Sequence, residues 1–407
     1  MIVFVAPDPR KHKEKEGFLQ RVAAIDEIFK NEERVYVDGS QNAAKTAQLL
    51  AQADLIYVHS MYNANKIASS YQELGHKIIT DLHGVVPEEE AYRDNFEAAR
   101  VMAATEQQAF TYGKYFVAVS EMMVRHFDEK YSKKTNRRWI VLPVYSSGGT
   151  PAKQQISKKD TSTVIYAGGG QKWQNVDMMI DAVQKLHSTH KFIVLSHDHD
   201  AFASISTTEN VILKSATSKE VLSYYKKASL GFILRNDTLV NRVACPTKLV
   251  EYLGNGVVPI VLSETIGDFA LLGYKYITIK QFLEGTVTED QINDYSQHNY
   301  AVYERFVQKA AEGKKLLLKA AVSIKKTASA SVVNSDVLRT KLAFQETQNT
   351  VWRYEYQIEQ YKKMIADYAK MAEYYRGELE ELRSESRELR DAKRETIVDK
   401  IAKKFKA

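Results

Sequence analysis

Cys245-Pro-Thr-Lys-Leu-Val-Glu-Tyr-Leu-Gly-Asn-Gly-Val-Val-Pro-Ile260 reads as a loop, a short helix, a glycine turn and a buried strand. Pro246 suits a helix start, because its missing N–H would lack a partner there in any case. Thr247 and Lys248 then fall in the first turn. Free backbone N–H groups, a hydroxyl and an ammonium converge there, a combination that suits a phosphate. Glu251 lies one turn on, on the same face, where its carboxylate could accept hydrogen bonds from a ribose diol. Gly254 and Gly256 are expected to stop the helix, and Val257 to Leu262 to form an apolar strand. Taken alone, the stretch equally describes an ordinary helix-to-strand connection in an α/β domain, so the rest of the chain decides.

The chain has 407 residues, enough for two α/β domains and an appendage. A hydrophobic content of 44% fits a globular class, and a net charge of +6 without a clustered patch argues against nucleic acid as a partner. The single cysteine, Cys245, excludes an internal disulfide framework and suits a reducing cytoplasm. The N-terminal Met-Ile-Val-Phe-Val-Ala-Pro reads as a first buried strand rather than a leader. No apolar run is long enough to span a bilayer.

Residues 1–145 alternate short apolar stretches with amphipathic helical ones. Ile2–Ala6, Arg34–Val37, Leu55–His59, Lys77–Thr80, Tyr115–Val119 and Trp139–Val144 read as strands, and Ala43–Ala53 and Asn95–Gly113 as helices. Residues 146–160 carry Ser, Gly and Lys and little apolar material, a linker composition. A second series follows over 161–288, with strands at Thr163–Ala167, Phe192–Ser196, Val211–Lys214, Gly231–Leu234, Val257–Leu262 and Lys275–Ile279. Repeated β-α units imply parallel sheets with helices on both faces. The expected fold is therefore α/β, with two doubly wound Rossmann-like domains and a ligand cleft at their strand C-termini.

Several segments could carry chemistry. Thr163-Val-Ile-Tyr-Ala-Gly-Gly-Gly-Gln-Lys-Trp-Gln-Asn175 reads as strand, glycine loop and helix. Gly169 and Gly170 would let the backbone approach an anionic ligand, with Lys172 adding a cation. Arg235, at the end of the strand Gly231–Leu234, suits either a diphosphate oxygen or a surface ion pair with Asp237. Ile78-Ile-Thr-Asp-Leu-His-Gly84 ends a first-domain strand, and its His83 is expected at the cleft mouth. Asp81 would orient His83 or contact acceptor hydroxyls. His197-Asp-His-Asp200 invites a metal reading, but loop polarity explains it more simply, so no metal site is assigned.

These motifs resemble the donor-sugar site of glycosyltransferases of the GT-B fold, in particular the family 4-like type of bacterial surface polysaccharide synthesis. In that family a Pro-x-Lys-x-x-Glu-Tyr-like helix precedes a Gly-x-Pro-Val-like strand, and a glycine-rich turn opens the donor domain. The segment Ser120-Glu-Met-Met is similar to a recurring Ser-x-x-Met. The resemblance implies a nucleotide-diphosphate sugar as donor substrate, no cofactor and no metal. It implies Lys172, Arg235, Thr247 and Lys248 at the diphosphate, Glu251 at the ribose and His83 at the sugar. A retaining mechanism is implied as well, with Asp81 or His83 as the base if the reaction inverts. The chain departs from the pattern twice. The family's second glutamate, eight positions before Glu251, is Val243 here, and the loop after the first strand, Pro7 to Gly17, is charged rather than glycine-rich.

Residues 289–332 read as basic helices packing across both domains, 333–392 as a coiled coil and 393–407 as a basic amphipathic tail. One seam runs Val337, Phe344, Val351, Ile358, Ile365, Ala372, Leu379, Ser386; the other runs Thr340, Thr347, Tyr354, Tyr361, Tyr368, Tyr375, Leu382, Leu389. Self-association through this helix is expected ahead of folding back on the catalytic part, and the run of four tyrosines at one seam position, unusual for a tight dimer, leaves a loose or higher-order bundle open. The tail places Ile397, Ile401 and Phe405 on one face among Lys400, Lys403, Lys404 and Lys406, as for peripheral contact with an anionic membrane. The resulting expectation is a cytoplasmic enzyme on the inner face of the cell membrane, acting on a glycan acceptor that is lipid-linked. The rival readings are a nucleotide-sugar epimerase on the same fold and a non-catalytic coiled-coil scaffold with a degenerate donor site.

Overall fold

The computed structural model describes residues 1–12, 17–132, 136–144, 160–328 and 333–405, with side chains described for all of these but 172, 218 and 394–405. Met1–Glu346 form one compact unit and Thr347–Ala407 a second.

The first unit contains two lobes, each built on a six-stranded parallel sheet. The first sheet comprises β1 (Ile2–Val5), β2 (Arg34–Val37), β3 (Leu55–His59), β4 (Ile78–Leu82), β5 (Tyr115–Ala118) and β6 (Arg138–Val141), in the order β2-β1-β3-β4-β5-β6. The central strands read Ile-Val-Phe-Val and Leu-Ile-Tyr-Val-His and are buried throughout, as expected where helices cover both faces of a parallel sheet. The second sheet comprises β7 (Thr163–Ala167), β8 (Lys191–Leu195), β9 (Val211–Lys214), β10 (Leu230–Ile233), β11 (Val258–Val261) and β12 (Ile277–Thr278), in the order β12-β11-β10-β7-β8-β9. Its order reverses between β7 and β10, so a crevice opens where the loops after these two strands part.

Local signals set the helix boundaries. Asn42, Ser120, Thr217 and Thr278 each accept a hydrogen bond from the backbone N–H three residues on, capping the helices that follow them. The helix Thr247–Gly254 buries Leu249, Val250, Tyr252 and Leu253 against the second sheet. The Tyr252 hydroxyl donates to the Ile165 carbonyl at 3.1 Å. Its ring lies where a Cβ on Gly231 would come within 2.4 Å, so β10 needs glycine at that point.

Gly254 does not end the helix as a turn residue; it is the last helical residue. Its missing side chain admits the Tyr303 ring, which a Cβ there would meet at 2.8 Å. The turn itself falls to Gly256, at φ +67°.

The helix Glu289–Ala328 ties the lobes together, as its composition suggests. Phe306 stacks on Phe269 of the second lobe at 4.3 Å between ring centroids, while Leu317, Ala321 and Ile324 join the core of the first. Gly313 marks the crossing, since a Cβ there would lie 2.3 Å from the Val141 carbonyl oxygen.

The heptad helix runs Ser335–Phe405 without a break. Its first turns depart from the expected seam. Leu338 and Leu342 are buried in the globular core, whereas Val337 and Phe344 are exposed. Ser69 donates to the Lys341 carbonyl at 3.1 Å and Lys341 pairs with Glu73, so docking on the first unit decides the orientation of these turns. The linker residues 146–159 lie outside the described residues. So do the side chains of Ile397, Ile401, Phe405 and the tail lysines, on which the amphipathic reading rests. Among the described residues no helix is long and apolar enough to cross a membrane.

Candidate active site

The second lobe gathers its cations at the point where the strand order reverses. Lys248, in the first turn of the Thr247 helix, lies over the Tyr166 ring with Nζ 3.7 Å from the centroid. A Cβ on Gly168 would come within 2.8 Å of that Nζ, so the glycine loop after β7 is what admits the ammonium. Arg235 follows β10 on the other side of the crevice. Burial lowers the pKa of Lys248 well below the usual lysine value, with the Arg235 charge adding and Glu251 opposing. Burial likewise brings Arg235 down to about 10.

Neither cation has a carboxylate ion pair among the described residues. Lys248 reaches only the Gln174 amide oxygen at 3.4 Å, and Arg235 the Asn241 amide oxygen at 3.2 Å. The Arg235 Nε is enclosed with no hydrogen-bond partner among the described residues. The ion pair considered between Arg235 and Asp237 does not form. Asp237 binds Arg242 instead, at 2.6 and 2.8 Å. The two cationic groups repel one another without an anion between them, and the arrangement is chemically suited to a group bearing two negative charges.

Glu251 sits on the next turn, held by the Tyr225 hydroxyl at 3.1 Å. Thr247 is the first helical residue after Pro246, as the sequence predicts. Of the glycines singled out, Gly169 accepts the Tyr166 hydroxyl on its carbonyl at 2.6 Å, and Gly170 donates its N–H to Asp198 at 3.2 Å. The Gly170 N–H is thus already used inside the protein. The glycine in contact with the cation is Gly168, which sequence reading passed over. Asp198 also accepts from the Ala201 N–H at 3.4 Å, and His199 pairs with Ser215 at 2.9 Å; the His197–Asp200 segment braces the loop. The Lys172 side chain lies outside the described residues.

In the first lobe β4 delivers Asp81 and His83 to the cleft edge. Asp81 is fully buried, and Arg21 grips both of its oxygens at 3.0 and 3.1 Å. The Tyr57 hydroxyl donates to the same carboxylate at 2.9 Å, and His83 Nε2 lies 3.3 Å away. Although burial works against ionisation, the Arg21 charge and His83 hold the Asp81 carboxyl far below the usual range. Of the three roles considered for it (orienting His83, contacting an acceptor hydroxyl, acting as base), its contacts match orientation of His83. Its oxygens are occupied from within the protein and do not face an acceptor hydroxyl.

Sequence reading also missed Arg21, Tyr57 and His59, which build this network. His59 Nδ1 stands 3.4 Å from His83 Nε2. His59, Asp81 and His83 bring three potential metal-ligand atoms within 4.8 Å of one another, but the guanidinium already meets the carboxylate's charge.

A further carboxylate stands between the lobes. Pro87 starts the helix Val86–Tyr92, and the run Glu88-Glu-Glu90 sends each acid to a different neighbour, since successive helical positions point about 100° apart. Glu88 pairs with Lys130 at 2.7 Å. Glu90 takes Arg93 and Asn95, each at 2.7 Å. Glu89 turns back over Gly84, where a Cβ would meet its Oε1 at 1.9 Å, and feels the Arg235 charge from the second lobe. Burial raises its pKa above the usual glutamate value. The same helix end bridges the cleft. Arg93 lies over the Trp173 ring at 4.7 Å, and Asn236 donates to the Tyr92 hydroxyl at 3.3 Å. Val243, where the resembling family has a glutamate, is buried instead at the lobe contact, its carbonyl accepting from Ser120 at 2.6 Å.

Two doubly wound lobes, each on a six-stranded parallel sheet, make the GT-B class of fold. Among solved structures the chain is similar to HepE of Anabaena. It matches the crystal structure with UDP-glucose at a TM-score of 0.55 and 13% identity, over 78% of this chain and 99% of that one. The HepE structure with UDP and glucose gives 0.55 at 11% identity. The GtfA/B complex matches at 0.48 and 15% identity over 70% of this chain, which spans only 60% of that chain. An alpha-glucosyltransferase in complex with UDP and a 13-mer DNA matches at 0.47 and 12% identity. No family model matches the sequence, and no curated protein matches it. The likeness to HepE establishes the fold.

Proposed function

We propose that this protein is a glycosyltransferase that moves a sugar from a nucleotide-diphosphate donor to a glycan acceptor. The observation that carries the reading is the pair Lys248 and Arg235, half-buried, without carboxylate partners among the described residues and set at the switch point of the second sheet. A departing diphosphate supplies the charge this pair lacks, and stabilising that charge in a dry cleft is the largest expected rate term. Glu251, fixed by Tyr225, holds the ribose diol. The side chains and the helix start do the work of a metal. The fold shared with HepE, solved with UDP-glucose, supports a nucleotide sugar as donor.

In the first lobe His83, oriented by Asp81, contacts the transferred sugar. Glu89 supplies the carboxylate that the second lobe lacks at Val243. It faces the reacting end of the donor from across the cleft and accepts the acceptor's proton if the reaction inverts. If the reaction retains configuration, as the family 4-like resemblance implies, the leaving phosphate takes that proton. The remaining parts of the reading concern placement. The acceptor is lipid-linked, in surface polysaccharide synthesis, the heptad helix joins copies of the chain, and the tail brings them to the cytoplasmic membrane surface.

A screen of nucleotide sugars by thermal shift tests the donor assignment. A donor at 100 times its dissociation constant should stabilise by about 2.7 kcal/mol. No shift with any nucleotide sugar would reject it, and turnover of donor without acceptor would point to an epimerase instead.

A further inference from the structure

The second unit carries an apolar stripe with no cover. From Val351 to Leu389 the large apolar residues of the two seams remain between 48% exposed at Leu379 and 72% exposed at Leu389. This far exceeds the scattered apolar surface of an ordinary helix. The stripe repeats every 3.5 residues on average, the period that keeps a seam facing a second supercoiled helix. A globular surface imposes no such period over this length.

The charges beside the seam specify the partner. The positions just before the first seam residue hold Glu378 and Glu385, and those just after the second hold Arg376, Arg383 and Arg390. In a parallel, in-register pair the former face the position five residues later on the other helix, which sets Glu378 against Arg383 and Glu385 against Arg390. In an antiparallel pair that overlaps over the same length, Glu378 falls opposite Met364 and Glu385 opposite Gln357, so neither glutamate meets an arginine. Arg383, Glu385 and Arg390 are exposed, and Glu378, exposed as well, accepts the Tyr374 hydroxyl at 2.8 Å, so the charges are accessible for this pairing. Val351, Ile358 and Ile365 place β-branched side chains at the first seam position, as parallel two-stranded coils do, and Tyr354, Tyr361, Tyr368 and Tyr375 take the place of leucine at the second.

We infer that the helix Ser335–Phe405 pairs with the same helix of a second copy, parallel and in register, so that both globular units lie at the same end of the coil. The inference rests on the proposed self-association and adds its direction and partner number. It has a functional consequence, because both tails then leave the coil at its other end, side by side, and two weak surface contacts act as one.

The test uses the full chain with one cysteine added at each end of the exposed seam, Val351→Cys or Leu389→Cys; the native Cys245 is buried and the unmodified chain serves as the control. Light scattering should give twice the chain mass. On mild oxidation each variant alone should form a disulfide-linked dimer, and a mixture refolded together should yield no excess of the mixed dimer. Dimers that cross-link only as the Val351→Cys with Leu389→Cys mixture would show an antiparallel coil and overturn the inference while leaving self-association intact. A monomeric or larger species would overturn it outright, the monomer taking the self-association reading with it. Charge reversal gives a second readout. Glu378→Arg with Glu385→Arg should weaken dimerisation at least tenfold, and adding Arg383→Glu with Arg390→Glu should restore it. An unchanged dimer in the first variant, or no recovery in the second, would also reject the parallel pairing.

Discussion

Lys248 lies 3.7 Å over the ring of Tyr166, and the Tyr166 hydroxyl in turn holds the Gly169 carbonyl at 2.6 Å. One tyrosine thus links the start of the Thr247 helix to the glycine loop, although 82 residues separate Tyr166 from Lys248 in the chain. Lys248→Ala should therefore weaken nucleotide-sugar binding by roughly 1.5–3 kcal/mol, the scale of hydrogen bonds to charged groups. Calorimetry measures it, and wild-type affinity in the variant would remove Lys248 from the site.

The depressed pKa of Lys248 gives donor binding a pH dependence of definite sign. A bound diphosphate favours the charged ammonium and raises that pKa. Affinity should be constant below the free-state value, fall as pH rises through it, and level off above the bound-state value. The fall should begin at lower pH than an ordinary lysine would give. Binding enthalpies in buffers of differing ionisation heat should report proton uptake over this interval, and should not do so in Lys248→Met.

Asp81 and His83 should separate by phenotype. Asp81→Asn leaves Arg21 buried without its counter-charge, so a loss of about 3–5 kcal/mol of stability is expected. The folded-state pKa of Asp81 lies below its ordinary 3.8. Its contribution is therefore present above pH 3.8 and disappears only as pH falls through the folded value. Denaturation curves of wild type and Asp81→Asn should stay apart from neutral pH down to about pH 4 and converge below it. His83→Ala should lower turnover with a much smaller change in stability.

Glu89→Gln should lower kcat far more than donor affinity, since Glu89 is the proposed base and touches the diphosphate site only through the Arg235 charge. A group acting in proton transfer contributes typically 10²–10⁴-fold. Because burial raises the Glu89 pKa, wild-type activity should rise with pH over a range above the usual glutamate value of 4.5, and this limb should be missing in the variant. An identical pH profile in both would show that Glu89 only packs against Gly84.

Removal of the second unit should succeed after Glu346 and fail after residue 332. Leu338 and Leu342 are buried in the globular core, and deleting such side chains costs about 2–5 kcal/mol each. Thermal denaturation of both truncations checks this. Equal midpoints would mean that the first turns of the heptad helix add nothing.

Transfer should persist in excess chelator. On the proposed reading Lys248 and Arg235 supply the positive charge that a diphosphate-bound metal would otherwise bring. Loss of activity that manganese or magnesium restores would direct attention to His59, Asp81 and His83.

Much of this was legible in the sequence. The near-continuous apolar runs of β1, β3 and β7 could only be strands covered on both faces, and their alternation with amphipathic helices fixed two doubly wound sheets. The Pro246 start put Thr247, Lys248 and Glu251 on one helical face, because helical periodicity is a local property. The heptad was equally local, and so were the charges flanking it. What the tertiary structure alone decided were relationships that depend on which strands lie side by side. Only pairing of β7 with β10 brings Gly168, Lys248 and Arg235 to one crevice, and only packing of β3 and β4 against the Phe18–Ile28 helix assigns Asp81 to Arg21. Glu89 was hidden in a run of three glutamates that reads as a solvated helix start. Its neighbours Gly84 and Arg235 come from different sheets, and no pattern in the chain records that contact. Leu338 and Leu342 make the same point in reverse. The heptad predicted one buried face for those turns, and burial against the globular core selected another, because long-range packing outweighs a repeat whose partner is absent at that point.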